Sequence, residues 1–158
     1  MNSAHLHLLI NHFPLIGLFF GITILIYGIF KRNPLILNIA YTIFIFSMIM
    51  GKLSMITGDK AEHFLENTNG FPHDLIEVHE EKAEIFMKII YSLGLIAFIG
   101  VIANYKKHPK KYWIAFIILA IASVNIFFSQ LVGSSGGKIY HDEIYQNLTN
   151  MNIKNNEP

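Results

Sequence analysis

Apolar residues in this chain are bunched into runs. Four runs, at about Phe13–Phe30, Leu35–Thr57, Ile85–Tyr105 and Tyr112–Val132, are separated by polar stretches. A helix needs about 20 apolar residues to cross the hydrocarbon core of a bilayer. The amphipathic signal within each run is weak, as expected where lipid replaces water on the outward face. The pattern predicts an all-α fold, a four-transmembrane-helix up-down bundle. Lys31-Arg32-Asn33-Pro34 joins the first two spans, and Lys106-Lys107-His108-Pro109-Lys110-Lys111 joins the last two. Turns this short make consecutive helices antiparallel neighbours. The connection from Gly58 to Pro72 is longer. Asn67-Thr68-Asn69-Gly70 within it is a turn signal, and Pro72 suits the first turn of a new helix. From Asp74 the sequence is polar but helix-competent through Lys82, so the third helix is expected to begin before its apolar run. Gly133-Ser134-Ser135-Gly136-Gly137 lacks the Lys-Ser/Thr ending of a phosphate loop. It is expected to end the fourth helix with a break that lets backbones approach closely. Residues 1–145 then form one membrane domain, and 146–158 a polar, mobile tail.

Charge gives this pattern a direction. All eleven acidic residues and seven of the eight histidines fall at one end of the four spans. The other end carries Lys31, Arg32, Lys106, Lys107, Lys110, Lys111 and His108. Short basic loops stay in the cytoplasm. The rule therefore puts the His- and carboxylate-rich end, and both termini, on the outer, periplasmic side of a bacterial inner membrane. The opening residues lack the positive region of a cleavable leader, so the first helix is expected to stay in the mature protein. Tyr105, Tyr112 and Trp113 suit an interfacial belt at the basic end. A net charge of +1 suggests no nucleic-acid partner. The absence of cysteine excludes disulfides, thiolate metal sites and covalently attached c-type haem.

The candidate chemistry lies at the His-rich end. His5, His7 and His12 open the first span, His63 follows the second, His73 and His79 precede the third, and His141 follows the fourth. In an up-down bundle the first and third helices are diagonal. His12 and His79 are expected to face one another across the axis, as a bis-histidine haem requires. A metal ion would instead need His12, His79 and His141 to converge with Glu62, Glu80 or His63. His79-Glu80 is not a zinc-protease motif, because Ala83 stands where the second histidine belongs. Lys52 and Lys88 lie inside the hydrophobic register near the same end. An ionisable group there is a functional candidate, whether for haem propionates or for a carboxylate such as Asp59 or Glu84. Snorkelling of a long aliphatic stem is the plainer account of both.

His7-Leu8-Leu9-Ile10-Asn11-His12-Phe13-Pro14 resembles the opening H-P-x-x-x-H-F-P signature of a bacterial domain-of-unknown-function family of small four-span membrane proteins. Leu8 stands where that family has proline. Thr57-Gly58-Asp59-Lys60-Ala61-Glu62 is similar to the family's T-G-x-x-A-E, and His79-Glu80-Glu81-Lys82-Ala83 to its H-E-x-x-A. Gly136-Gly137-Lys138-Ile139-Tyr140-His141 is similar to its closing G-G-x-x-V-Y-x-H, one residue shorter before the histidine. Members occur alone or fused to Rieske or c-type cytochrome modules. The resemblance implies membrane electron transfer with b-type haem, and it singles out His7, His12, His79 and His141.

Together these readings predict a b-type cytochrome-like membrane protein rather than an enzyme with its own substrate. It would hold one or two haem b groups near the outer face through paired histidines. It would exchange electrons with a periplasmic or membrane carrier, and a homo-oligomer is possible. The rivals are a zinc, iron or copper site built from the same histidines and carboxylates, and a non-catalytic subunit that docks a periplasmic partner. The charge pattern makes a direct prediction. A reporter fused to the C-terminus is active only when exported, and activity confined to the cytoplasm would overturn the topology.

Overall fold

The computed structural model describes the backbone of residues 3–66 and 73–155, and the side chains of residues 5–62 and 74–139. The described residues form five helices: α1 (Ser3–Ile10), α2 (His12–Phe30), α3 (Pro34–Glu66), α4 (His73–Tyr105) and α5 (Lys111–Asn155). Four stretches are long and apolar enough to cross a membrane: His5–Phe30, Pro34–Glu62, Asp74–Tyr105 and Lys111–Ile139. The first combines α1 and α2. Helix α2 packs on α3, α3 on α4, α4 on α5, and α5 back on α2, which closes a ring. Helices α2 and α4 are therefore diagonal, as are α3 and α5. The chain is an all-helical, multi-pass membrane protein by length and composition.

Each helix buries one stripe whose residues recur at alternating intervals of three and four, the spacing of a coiled-coil seam. On α2 the stripe is Pro14, Leu18, Gly21, Leu25 and Gly28. On α4 it is Phe86, Ile90, Leu93, Ala97, Gly100 and Asn104. Large apolar residues off the stripes, such as Phe20, Leu95 and Phe127, are exposed, which is compatible with contact to lipid tails. Glycines in the stripes let large side chains cross the seam. The Phe44 ring of α3 occupies the place a Cβ at Gly21 would take. The Tyr41 ring does the same at Gly100, where a Cβ would lie 2.7 Å from it. Small residues that allow such close approach are the usual basis of helix packing in lipid.

Both basic turns use one device. Arg32 and Lys107 adopt left-handed φ values of 49° and 52°. The Arg32 and Asn33 amides donate to the carbonyls of Ile29 and Gly28, both at 3.1 Å. In the second turn Lys107 and His108 donate to Asn104 and Ala103 at 3.1 and 2.8 Å. This paired pattern is the Schellman ending, which satisfies carbonyls a helix terminus would otherwise leave open. The Asn33 side chain then caps α3 by accepting from the Leu35 amide at 2.9 Å. The basic end is tied laterally as well. Asn104 Nδ2 donates to Asn38 Oδ1 at 2.7 Å, and the Tyr112 hydroxyl donates to the Arg32 carbonyl at 2.6 Å.

At the opposite end the helices depart from expectation. The sequence leaves the first helix to start either near Ser3 or at Phe13; it starts at Ser3 and is interrupted at Asn11. The Asn11 amide still donates to the His7 carbonyl at 2.9 Å. Pro14 has no N–H to offer the Ile10 carbonyl, so the hydrogen-bond ladder lacks one rung where α1 meets α2. Gly133-Ser134-Ser135-Gly136-Gly137 does not end the fourth helix. Helix α5 runs straight through it and through the polar segment from Gln146 as far as Asn155. The hydroxyls of Ser134 and Ser135 donate to the carbonyls of Leu131 and Val132, both at 3.0 Å, which supports the backbone there. Packing of a neighbouring side chain on Gly136 offsets the intrinsic cost of glycine, about 1 kcal/mol per residue.

These features set two opposite outcomes for glycine replacement. Gly21→Leu overpacks the seam against Phe44 and should destabilise the protein by about 1–3 kcal/mol. Gly133→Ala adds a methyl group where nothing lies within 4 Å, in the interior of a continuous helix. It should stabilise by up to about 1 kcal/mol. Thermal unfolding in detergent checks both, and no gain from Gly133→Ala would argue for a break in α5.

Candidate functional site

Asn11 keeps helical backbone angles, so the buried stripe of α2 continues into α1. His7, Asn11, Pro14 and Leu18 share one stripe, spaced four, three and four residues apart, and this stripe faces inward. His12 falls off it. His7 is half-buried whereas His12 is exposed, its Nδ1 donating to the Leu8 carbonyl of its own helix at 2.7 Å. His79 lies on the inward stripe of α4, with Ala83, Phe86 and Ile90, and is also half-buried. The sequence pattern placed His12 opposite His79. In the structure His7 holds that place, on the span diagonal to α4.

Each imidazole is fixed by the other helix of its own hairpin. His7 Nδ1 lies 3.0 Å from the Ser54 carbonyl oxygen on α3. A carbonyl can only accept, so Nδ1 carries the proton. Thr57 Oγ1 is a second, longer acceptor at 3.4 Å, its own hydroxyl directed at the carbonyls of Leu53 and Ser54, both at 3.0 Å. His79 Nδ1 lies 3.0 Å from Ser135 Oγ on α5. The Ser135 hydroxyl proton is already given to the Val132 carbonyl, so Oγ accepts from the imidazole. The same tautomer results at both sites: Nδ1 protonated, and Nε2 left with its lone pair. This is the state in which histidine binds a metal through Nε2, and a Nδ1–H bond to a carbonyl or similar acceptor is the usual way of holding it.

Glycine makes room for both rings. A Cβ at Gly58 of α3 would lie 3.2 Å from His7 Cε1, and one at Gly136 of α5 would lie 3.2 Å from His79 Cε1. Each imidazole thus rests on a neighbouring helix where no side chain intervenes. Ser54, Thr57 and Ser135, which orient the rings, were not identifiable as partners from sequence. Their signal was faint: small or hydroxyl-bearing residues at seam spacing in otherwise apolar helices. Gly136 does permit close approach, although within a helix and not at a break.

The remaining candidates are dispersed. Lys88 pairs with Glu84 at 2.8 Å, one helical turn away, and both side chains are largely exposed. Such a pair is worth at most about 1 kcal/mol. Lys52 is exposed beside Met48, Ile49, Leu53 and Tyr91, so neither ammonium lies in the bundle interior. Glu62 and Glu80 are partly buried at the acidic end, and with Asp59 they are close enough to interact electrostatically. His5 is exposed. His63, His73 and His141 lie on helical backbone, but their side chains are outside the described residues. Among the described residues no three His, Asp or Glu side chains gather into a metal-holding group. The two-imidazole arrangement is what the bundle builds.

A comparison of the chain with protein-family models, with characterised proteins and with solved structures finds no match. The hydrogen-bond network can be checked directly. Nitrogen-15 NMR of histidine-labelled protein at neutral pH should report His7 and His79 as Nδ1–H tautomers. Ser135→Ala should remove a bond worth about 1 kcal/mol and release only His79. An Nε2–H tautomer at either position would contradict the assignment.

Proposed function

We propose that the chain is a b-type cytochrome-like membrane protein in which His7 and His79 would hold the haem. One observation carries the reading. Two half-buried imidazoles stand on diagonal helices, each with Nδ1–H engaged and Nε2 available. The residues fit the group on chemical grounds. A bis-histidine haem needs two neutral imidazoles of that tautomer from opposed helices. Gly58 and Gly136 keep Cβ atoms away from both rings. The haem would supply one-electron redox chemistry. The chain would supply the ligands, their orientation and a low-dielectric surround, which together set the potential.

On this reading the His-bearing end faces the periplasm and the basic turns face the cytoplasm of a bacterial inner membrane, in accord with the Lys/Arg bias. Electrons would pass to or from a periplasmic carrier or a membrane quinol. Because haem carries anionic propionates, the acidic surroundings of Glu62 and Glu80 favour seating them away from that rim.

The visible spectrum of the purified full-length protein tests the proposal. It should show the bands of a low-spin haem, with sharpened bands on reduction. His7→Ala and His79→Ala should each abolish them, whereas His12→Ala should leave them unchanged. A colourless protein after expression with ample haem would overturn the reading, as would a spectrum that depends on His12 and not on His7.

A further inference from the structure

The two basic turns belong to different hairpins, yet the fold holds them side by side. Asn104 Nδ2, just before the second turn, reaches the Pro34 carbonyl at 3.4 Å as well as Asn38. Tyr112 makes the closer link. Its hydroxyl donates to the Arg32 carbonyl in the first turn, while its ring lies 5.3 Å from Lys111 Nζ. One side chain thus sets a cation of the second turn beside the first turn. Lys31 Nζ lies 5.5 Å from the centre of the Phe30 ring, which is 79% exposed. Lys31 therefore stands where the basic end meets the lipid-facing surface.

Six cations gather at this end: Lys31, Arg32, Lys106, Lys107, Lys110 and Lys111. The sequence around them supplies no anion. No Asp or Glu occurs between Met1 and Gly58, or between Ile85 and His141. Among the described residues the one ion pair joins Lys88 to Glu84, nearer the opposite end. Cations held together on a rigid support repel one another unless an anion from outside the chain offsets them. Two features select that anion. Exposed apolar side chains, Phe30, Leu35, Tyr105 and Trp113, flank the same turns, so its carrier meets apolar surface beside the charge. The cations also come in two groups, one per hairpin, so an anion with two linked charges engages both. Basic sites between membrane helices bind lipid headgroups of this kind.

We propose that the basic end binds a phospholipid with two phosphates in one headgroup, the cardiolipin class. The phosphates bridge Arg32 of the first turn and Lys111 of the second, and acyl chains lie along the flank at Phe30 and Trp113. Tyr112 and Asn104 hold the turns in place beforehand, so little freedom is lost when the headgroup binds. The site lies at the opposite end from the imidazoles and does not depend on what they bind.

Trp113 is the only tryptophan of the chain, so its fluorescence reports on this end alone. The full-length protein would be reconstituted in phosphatidylcholine vesicles containing rising fractions of lipid with brominated acyl chains, which quench tryptophan on contact. At equal bromine content, brominated cardiolipin should quench at a mole fraction about fivefold or more below that of brominated phosphatidylcholine, because each Lys or Arg near an anionic headgroup strengthens binding about fivefold. Brominated phosphatidylglycerol, with one phosphate, should fall between them. Arg32→Asn, which suits the left-handed backbone at that position, should weaken cardiolipin quenching about fivefold, and so should Lys111→Gln. Lys138→Gln, far from the turns, should leave it unchanged. Salt at about 1 M shortens the screening length to about 3 Å and should erase the preference in the unmodified protein. That measurement stands even if a variant fails to fold. Equal quenching by cardiolipin and phosphatidylcholine overturns the proposal. So does a preference that persists in high salt, or one that Lys138→Gln lowers as much as Arg32→Asn. Inorganic pyrophosphate carries two phosphates without acyl chains. If it restores the fluorescence at a concentration equal to that of the brominated cardiolipin, the site takes a free anion and the lipid assignment falls.

Discussion

Lipid offers a polar group no partner. Every backbone amide and carbonyl in the hydrocarbon must be satisfied by the chain itself, and each helix must find its neighbours without a hydrophobic driving force. Much of this fold answers that constraint. Helices run unbroken through sequences that end them in water. Seams are built on glycine, alanine and serine, so that rings such as Phe44 and Tyr41 can cross them. The two basic turns leave no helix end bare, because the same backbone pattern closes both. The polar side chains that remain inside are therefore conspicuous, and they concentrate towards one end.

The same constraint explains how the two imidazoles are held. A histidine placed at a helix end in water chooses among many partners. Here Ser54 and Ser135 offer acceptors at defined positions on rigid helices, and both rings take the same tautomer in consequence. Orientation is thus decided by backbone and hydroxyl groups belonging to α3 and α5. Long-range charges contribute less, since Lys88 spends its charge on Glu84 at the exposed surface.

The four spans and two basic turns were legible in the sequence, because long apolar runs and clustered Lys/Arg are strong, local signals. The diagonal relation of the first and third spans followed from short turns. The identity of the inward histidine did not follow. His7 and His12 are both near the end of the same span, and only the rotational phase of α1 separates them. That phase continues the buried stripe of α2 through Asn11, which keeps helical backbone angles, and the buried face of a span is hard to read where nearly every face is apolar. The glycine-serine segment at 133–137 stays helical, contrary to its composition, for a related reason. Its residues break helices where water competes for the backbone, but serine hydroxyls and a docked imidazole remove that competition here.

The two Nδ1 bonds have a consequence for movement. His7 is anchored to α3, within the first hairpin, and His79 to α5, within the second. Neither anchor crosses between the hairpins. Each half of the molecule therefore fixes the direction of its own imidazole before the halves meet. The gap between the rings is instead a property of how the halves dock. Sliding one hairpin against the other would widen or narrow that gap while leaving both rings aimed as they were. The arrangement works like a pair of jaws: the faces are machined into each arm, and the hinge controls only how far apart they stand.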